Sequence, residues 1–563
     1  MSVAIRTATR IQDMDDANVT PAAGVDGYAL LYDNATQKFV LSGSNPAHVL
    51  EVATSGRTYT NIQTAINAAS AGDVVLIHPG TYSLASGTQL LLKNGVDLFG
   101  IGQPIILRHD SQDGPTVTDG AGVVACNLSN LIIRRTKPSG SPTTAYGLHL
   151  QTSGTSISCA NVVVNSDIAQ GILTATGTTL RGARGTSTAS SGIGNAGSLY
   201  DSTGESSVAM VGGIHNGGLA IRCTGLSTGG YGFFNVGGAG FAQNCIGRSS
   251  GGNTAFMNYS QAIACSGYST AAGMNGFETS SSEAGAAISI GCAGWSTTGP
   301  GYSAADLTTS SALASTNINC SGYSDSNVGF YVNSTRPLVK CVGCFGASRT
   351  ATGFYQLLGI CQNCAGQSEA GLGYSQTAGY AFGCSGRSEG GIAGYLLSGG
   401  IAHSCTGATL SAGADANGFT VADAVAVNCT GRTASTNSYV GGLGTSHANS
   451  KLIGCSAISE TGAAALYIAT AGARIIGGSY SNKYDNAAGH AVRVGATGTA
   501  LAPAAFFRNV STSVVHASAW DYTANGTGTY GDFLGCVGTN GIFTTRITQT
   551  ATETPDAQGN LWG

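Results

Sequence analysis

The chain has 563 residues, only 9% of them charged, and a formal net charge of -4. Nucleic acids and acidic membranes are bound by clustered Lys and Arg, so this composition argues against both partners. No apolar run reaches the roughly 18 residues of a membrane-spanning helix, and the first residues lack an apolar signal stretch, which predicts a protein made in a cytoplasm.

The first predicted elements are two short strands, Tyr28–Tyr32 and Lys38–Leu41, joined by a polar turn. This hairpin pattern resembles the small N-terminal modules of bacteriophage tail fibres and tailspikes, which attach the fibre to the virion. The resemblance implies that residues 1–45 form a virion attachment module that contacts phage tail or adaptor proteins.

An amphipathic helix is predicted next, near residues 60–70, because apolar residues recur at helical spacing after a capping residue. Short strands follow at 73–77, 89–92 and 96–99. This order resembles the start of the pectate-lyase-like right-handed β-helix family, in which the helix plugs the open end of the first coil. The resemblance implies a parallel β-helix over residues 46–495, a fold that hosts many functions.

From Cys223 onwards the phrase Cys-x-Gly-x-Ser recurs in steps of 20 to 28 residues. Self-similarity at this period is typical of a solenoid, and the shortage of Leu and of helical periodicity excludes leucine-rich and helical repeats. The sequence therefore predicts an all-β fold, a right-handed parallel β-helix with about 23 residues per coil. The recurring cysteines are Cys223, Cys245, Cys265, Cys292, Cys320, Cys344, Cys364, Cys384, Cys405, Cys429 and Cys455.

Alternation along the phrase predicts which side chains face inward. Positions 0, +2 and +4 from each Cys hold Cys, mostly Gly, and Ser or Thr, and position -2 holds Ile or Val in seven of the eleven copies; a period of two is that of a strand. These positions are predicted to point inward, with the cysteines as a ladder of small, buried, reduced thiols.

The same alternation predicts that the residues three before each Cys face outward. Such small residues would either permit close approach of a partner chain or merely avoid crowding between coils. This column contains Ala220, Ala242, Ala262, Cys341, Cys361, Ala381, Ala402 and Ala426.

Three familiar motifs are interpreted as structural. Gly192–Gly197 matches a dinucleotide fingerprint, but no βαβ unit surrounds it. The Cys-x-x-Cys pairs at 341–344 and 361–364 have zinc-like spacing, but they coincide with the repeat. We therefore predict no cofactor and no metal. Matches to the nucleophile-elbow pattern of hydrolases are copies of the repeat phrase, with Ser227, Ser249 and Ser388 facing inward.

The outward column at +3 contains three consecutive aromatic residues, and the neighbouring column at +5 concentrates charges. Aromatic rings stack on the C–H faces of sugars, whereas carboxylates and Arg bind sugar hydroxyls. The pattern therefore predicts a polysaccharide-binding surface. Its predicted glycan-binding residues are Tyr268, Trp295, Tyr323, Asp325, Arg349 and Arg387.

Glu369 and Glu389 are a candidate catalytic pair, because they lie on adjacent coils of the +5 column. Two such carboxyl groups could approach the roughly 5 to 5.5 Å separation used by retaining glycosidases. The alternative is a solvated corner in which Arg349 pairs with its neighbours.

Residues 496–563 leave the repeat and are rich in aromatic residues, which predicts a C-terminal cap that also holds a trimer together. Taken together, the chain resembles a phage tailspike. The resemblance implies a homotrimeric virion tail protein, assembled in the host cytoplasm, that recognises host cell-surface polysaccharide. A polysaccharide depolymerase, either a hydrolase or a lyase, and a purely structural fibre remain as alternatives.

Overall fold

The fold was analysed in a computed structural model of the chain. The structure describes residues 30–33, 38–41 and 48–549. Within the last range it leaves out residues 121, 138–144, 153–155, 237, 282–285, 306–314, 335–338, 411–415, 437–439, 448, 462–463, 470–471, 485–489, 495–504, 515–519, 525–527, 535, 539–540 and 544–545.

The chain divides into two compact units, residues 1–202 and 203–563. In each unit the strands form three parallel sheets, and each turn of about 24 residues adds one strand to each sheet in order. This confirms the predicted parallel β-helix. The sheets are numbered 1, 2 and 3 in the order in which a turn visits them.

The first unit begins with the hairpin strands Leu30–Asp33 and Lys38–Leu41, which pair antiparallel as predicted; Tyr28 and Ala29 lie outside the described residues. Sheet 1 then has the strands Val49–Val52, Val74–Ile77, Asp97–Gly100, Ala125–Ser129, Ser156–Ala160, Thr179–Arg181 and Ser198–Tyr200. Sheet 2 has Thr81–Ser83, Ile105–His109, Ile132–Thr136, Val163–Ser166 and Arg184–Ser187. Sheet 3 has Leu90–Leu92, Val117–Asp119, Leu148–Leu150, Ile172–Thr174 and Ile193–Asn195.

The predicted helix spans Ile62–Ala68. It begins at Asn61, whose side-chain oxygen accepts a hydrogen bond from the Thr64 amide at 3.1 Å, as expected of an N-cap. Its apolar face, Ile62, Ala65 and Ile66, is buried against the first strands of sheets 1 and 3. No helix among the described residues is long and apolar enough to cross a membrane.

In the second unit, sheet 1 has the strands Leu219–Ile221, Phe241–Gln243, Gln261–Ile263, Ile288–Ile290, Thr316–Ile318, Lys340–Val342, Ile360–Gln362, Tyr380–Phe382, Ile401–His403, Val425–Val427, Lys451–Ile453, Arg474–Ile476, Ala505–Arg508, Gly528–Leu534 and Arg546–Gln549. Sheet 2 has Thr203–Ser206, Thr224–Ser227, Ile246–Ser249, Ser266–Ser269, Ala293–Ser296, Ser321–Ser324, Phe345–Ser348, Ala365–Ser368, Ser385–Ser388, Thr406–Thr409, Thr430–Thr433, Ser456–Ser459, Ser479–Asn482, Ser511–Val514, Cys536–Gly538 and Gly541–Phe543. Sheet 3 has Ile214–Asn216, Phe233–Asn235, Phe256–Asn258, Phe277–Ser280, Tyr302–Ala305, Phe330–Asn333, Phe354–Gln356, Tyr374–Gln376, Ala393–Leu397, Asn417–Val421, Gly441–Thr445, Ala464–Ile468, His490–Val494 and Trp520–Ala524.

The parallel pattern changes at the end of the second unit. Gly528–Leu534 pairs antiparallel with Arg546–Gln549, and Cys536–Gly538 pairs antiparallel with Gly541–Phe543. The role of residues 496–563 as a cap and trimerisation region stays a prediction.

The predicted inward or outward orientation of the side chains is correct from each Cys of the repeat onwards and wrong for the residues before it. The cysteines and the serines or threonines at +4 are buried, as predicted. However, the residue directly before every one of the eleven cysteines has a positive φ, for example Asn319 at 52° and Gly343 at 63°. This left-handed residue turns the chain from sheet 1 into sheet 2 and therefore reverses the alternation.

The prediction that the column three before each Cys faces outward is consequently wrong. Its members are fully buried, and the Ile and Val at -2, predicted inward, point outward instead. Small residues in this column therefore pack the interior and do not form a partner surface. The corrected residues are Ala220, Ala242, Ala262, Cys341, Cys361, Ala381, Ala402 and Ala426.

Hydrogen bonds at the corners explain the recurring Cys and Ser. The Cys320 Sγ lies 3.4 Å from the carbonyl oxygens of both Ser289 and Ile318, and its one S–H proton points toward this pair of acceptors. The Ser324 hydroxyl donates to the Gly299 carbonyl at 2.7 Å and accepts from the Asn327 amide at 2.9 Å. Each side chain therefore fits a small buried space and forms hydrogen bonds with backbone groups of the corner.

A ladder of aromatic rings, one per turn, fills the core beneath sheet 3. Neighbouring rings stack with centroids 4.5–5.0 Å apart and planes within 10° of parallel. Where the ring is Tyr, its hydroxyl has a buried partner; Tyr374, for example, donates to the Gln356 side-chain oxygen at 2.8 Å. The ladder consists of Phe233, Phe256, Phe277, Tyr302, Phe330, Phe354, Tyr374, Tyr395 and Phe419.

Two glycine columns bring sheets 2 and 3 into close contact. A Cβ on Gly322 would lie 2.1 Å from the Gly329 carbonyl oxygen, and one on Gly329 would lie 2.3 Å from backbone atoms of Ala347. A side chain at either position would collide with backbone, which accounts for the glycine of the repeat phrase and for the one that precedes eight of the nine ladder rings; Ala255 precedes the ninth, Phe256.

Candidate functional site

The candidate site lies on the outer face of sheet 2 in the second unit. Each strand there places Gly at +2 and Ser at +4 inside, so the side chains at +1 and +3 point out. Tyr268, Trp295 and Tyr323 are paired in register on consecutive strands, as the sequence predicted. Tyr268 is 42% exposed, Tyr323 is 37% exposed, and Trp295 is half-buried between them.

The three aromatic residues line a shallow pocket of about 270 Å³, which we call the aromatic pocket. Ala293 and Ser321 in the +1 column are small and leave its floor open, whereas Phe345 and Ala347 close one end. The sequence analysis missed Phe345, although the +1 column changes there from small residues to an exposed ring. At the other end, the Arg248 guanidinium lies 5.3 Å from the centre of the Tyr268 ring.

Charged residues lie beside the aromatic pocket. Partial burial raises the pKa of Tyr323, and the carboxylates of Asp325 and Glu369 raise it further, whereas Arg349 lowers it. The Arg349 Nε lies 3.9 Å from a Glu369 carboxylate oxygen, with both side chains more than 60% exposed. Asp325 and Arg349 thus lie at the edge of the aromatic residues, where they can reach a bound ligand.

Glu369 and Glu389 lie on adjacent turns, as predicted, and both are exposed. One oxygen of Glu389 accepts hydrogen bonds from Gln367 at 3.1 Å and from Arg387 at 3.3 Å. Carboxylates in such open, Arg-paired surroundings lack the apolar burial that general acids use. Their catalytic role stays a prediction, and the pairing of Arg349 with Glu369 agrees with the alternative of a solvated corner.

The nucleophile-elbow serines and the Cys-x-x-Cys pairs are buried parts of the repeat, and Gly192–Gly197 contains the sheet 3 strand Ile193–Asn195. The Ser388 hydroxyl donates to the Gly371 carbonyl at 2.7 Å and accepts from the Gly391 amide at 2.9 Å. The Cys341, Cys344, Cys361 and Cys364 side chains are all buried, and those of Cys344 and Cys364 donate to backbone carbonyls. Within the described ranges, no group of three or more His, Cys, Asp or Glu could hold a metal ion.

Comparisons with known proteins bear on the fold. No protein-family model and no curated protein matches the sequence. Solved structures that resemble the chain include the Dettilon tailspike protein gp208, with 10% identity over 75% of this chain and 69% of that one and a TM-score of 0.26.

Two further similar structures are, by their names, of enzymes that act on polysaccharides. The A-module of the Azotobacter vinelandii mannuronan C-5 epimerase AlgE4 has 13% identity over 74% of this chain and 92% of that one, with a TM-score of 0.18. The catalytic domain of a GH87 α-1,3-glucanase in complex with nigerose has 10% identity over 88% and 70%, with a TM-score of 0.21.

Proposed function

We propose that the chain is a receptor-binding tailspike that holds host cell-surface polysaccharide in the aromatic pocket. The observation that carries the proposal is the row of Tyr268, Trp295 and Tyr323, which lines a pocket on the outer face of sheet 2 and leaves Tyr268 and Tyr323 exposed. Exposure of apolar aromatic rings to water is unfavourable, so a row of them indicates a binding surface. The rings of the row offer stacking surfaces for successive sugar rings. Asp325 and Arg349 would bind the sugar hydroxyls at its edge.

The virion role of the proposal comes from the N-terminal resemblance and agrees with the hairpin pairing of Leu30–Asp33 with Lys38–Leu41. In this role residues 1–45 attach the chain to tail or adaptor proteins, and the β-helix presents the aromatic pocket to the host.

The test is binding of polysaccharide extracted from candidate host surfaces. We expect Trp295→Ala with Tyr323→Ala to weaken binding by about tenfold or more, because buried aromatic anchors dominate such interfaces. Tyr200→Ala is the matched control, since it removes a half-exposed tyrosine from sheet 1 of the first unit. Equal binding by the double variant and the control would refute the proposal, whereas shortening of the polymer would favour a depolymerase.

We further propose that the chain assembles as a homotrimer through the outer face of sheet 1 in the second unit. The Ile and Val at -2, which the left-handed corner residue turns outward, form an apolar column there, beside a second column that begins each strand. Four members of the two columns, on the strands before Lys451–Ile453, are 37–44% exposed and lie among few charges, which suits contact with further copies of the chain. They are Ile290, Tyr380, Phe382 and Ile401.

Substitution of this face is expected to change the oligomeric state. Ile290→Asp with Ile401→Asp would bury carboxylates in the trimer, so we expect the mass in sedimentation to fall from three times 56.1 kDa to that of one chain. Leu91→Asp, which charges a 46% exposed leucine of the first unit, is the control and should leave the trimer intact. A trimer that survives the double substitution would show that another face holds the copies together.

A further inference from the structure

A second candidate site lies near the C-terminal end of sheet 1 in the second unit. Two residue columns change there, in the same turns, from apolar or small residues to polar ones. The column that begins each strand is apolar at Ile360, Tyr380, Ile401 and Val425 and then becomes cationic at Lys451 and Arg474. Lys451 and Arg474 are exposed and directly opposite each other in register, so their backbones lie about 4.8 Å apart.

The corner that precedes these strands changes in the same turns. The position two residues before each strand holds Leu358, Ala378 and Gly399 in earlier turns, and Gly472 in a later turn. Between them the corner holds Asp423, which adopts a left-handed φ of 56°, and Asn449. Polar side chains thus occupy this position only beside the two cations, among the turns from Leu358 to Gly472 that the structure describes.

These residues line a cavity of about 570 Å³, which we call the corner pocket. Its polar side chains are Asp423, Asn449, Lys451 and Arg474, and Gly400 and Gly472 leave its two ends open. The volume lies within the range of about 300–1,000 Å³ typical of small-molecule pockets.

The charges of the corner pocket are not neutralised internally. Among the described residues, no carboxylate oxygen lies within 4.0 Å of the side-chain nitrogens of Lys451 or Arg474, that of Asp423 included. Like charges directly opposite on neighbouring strands repel, and this chain has only 24 Lys and Arg in 563 residues. Two adjacent, unpaired cations in a cavity therefore indicate an anionic ligand.

We propose that the corner pocket binds an acidic sugar, with the sugar carboxylate between Lys451 and Arg474. The Arg guanidinium offers two parallel donors to a carboxylate, and the Lys ammonium adds a third. Asp423 can accept hydrogen bonds from ring hydroxyls, and Asn449 can both donate and accept. A free phosphate or sulfate would leave Asp423 facing another anion, whereas a sugar acid matches both halves of the pocket. The ligand class rests on the proposed glycan-binding function; the site itself is separate from the aromatic pocket.

The test uses trigalacturonate and its methyl ester, which differ only in the anionic group, with calorimetric titration of the full chain. We expect the acid to bind about tenfold or more tightly than the ester, and Lys451→Gln or Arg474→Gln to remove this preference. Lys340→Gln is the matched control, because Lys340 lies in the same column outside the pocket, between Thr316 and Ile360, and should bind as the wild type does.

Two results would overturn the proposal: equal affinity of the wild type for acid and ester, or an unchanged preference in both pocket variants. Competition by inorganic phosphate at equal concentration would also overturn it, in favour of a simple anion site. If the wild type ignores the acid and Lys451→Gln alters the oligomeric state, the cations serve contact between copies instead. Trp295→Ala in the same titration separates the two proposals, since its expected effect is on polymer binding and not on the trigalacturonate preference.

Discussion

Asp110→Asn is expected to destabilise the first unit by about 3–5 kcal/mol, because it leaves two buried guanidinium groups without their counter-ion. Arg108 and Arg135 are both fully buried. Asp110 lies 3.0 Å from the Nε of Arg108 and 2.7 Å from Nη1 of Arg135, and it also accepts a hydrogen bond from the Gly87 amide at 2.7 Å. Chemical denaturation followed by circular dichroism measures the loss.

Glu51→Gln is the control for Asp110→Asn, since it breaks an ion pair with Arg57 that is exposed and 2.7 Å long. Such pairs contribute about 1 kcal/mol or less. Equal effects of the two substitutions would contradict the role assigned to Asp110.

The same carboxylate predicts acid sensitivity. Burial alone would raise the pKa of Asp110, but the Gly87 amide and the two guanidinium groups outweigh it and hold the pKa well below its usual range. A lowered folded-state pKa contributes stability above the unfolded value of about 3.9 and loses it as the pH falls through the folded value. The wild type should therefore lose stability below about pH 4 more steeply than Asp110→Asn does.

Phe330→Ala is the second substitution with a large expected effect, a loss of about 3–5 kcal/mol. The Phe330 ring is fully buried and stacks between Tyr302 at 4.5 Å and Phe354 at 4.8 Å, so its removal leaves a cavity that close neighbours cannot fill. Because each turn contacts only its neighbours, hydrogen exchange should accelerate most in the turns of Tyr302 and Phe354.

Phe345→Ala, which truncates a ring that is 39% exposed on the outer face of sheet 2, is the matched control and should cost far less. Uniform acceleration of exchange throughout the second unit after Phe330→Ala would contradict the local response.

The fold could be predicted because the repeat phrase carries its own alternation. Positions from Cys to +4 lie in one strand, so the inward Cys and Ser and the outward Tyr268, Trp295 and Tyr323 follow from a period of two. The facing before each Cys could not be predicted, because the left-handed corner residue varies among Asn, Gly, Arg, Ala and Ser. Ala220 and its equivalents were placed on the wrong side for this reason, and the partner surface was sought on the wrong column.

The site residues were predictable to the extent that strand register fixes them. The aromatic row needs only the position of each ring, whereas the Arg349–Glu369 and Arg387–Glu389 contacts depend on the rotamers of long side chains. Strand register is also needed to recognise Phe345, Lys451 and Arg474. Only the alignment of neighbouring strands shows that Phe345 adjoins the aromatic row and that Lys451 lies opposite Arg474. The corner pocket also needs the turn residues Asp423 and Asn449, which no strand periodicity describes.

The shared corner of every turn also makes the molecule modular in length. Excision of residues 364–383 would join Asn363 to Cys384, which restores a left-handed residue followed by the corner cysteine. Such a chain would lose one complete rung and shorten the second unit by about 4.8 Å. Surface features on either side of the excision would then lie about 4.8 Å closer together. Their spacing along the second unit can therefore change only in multiples of one turn.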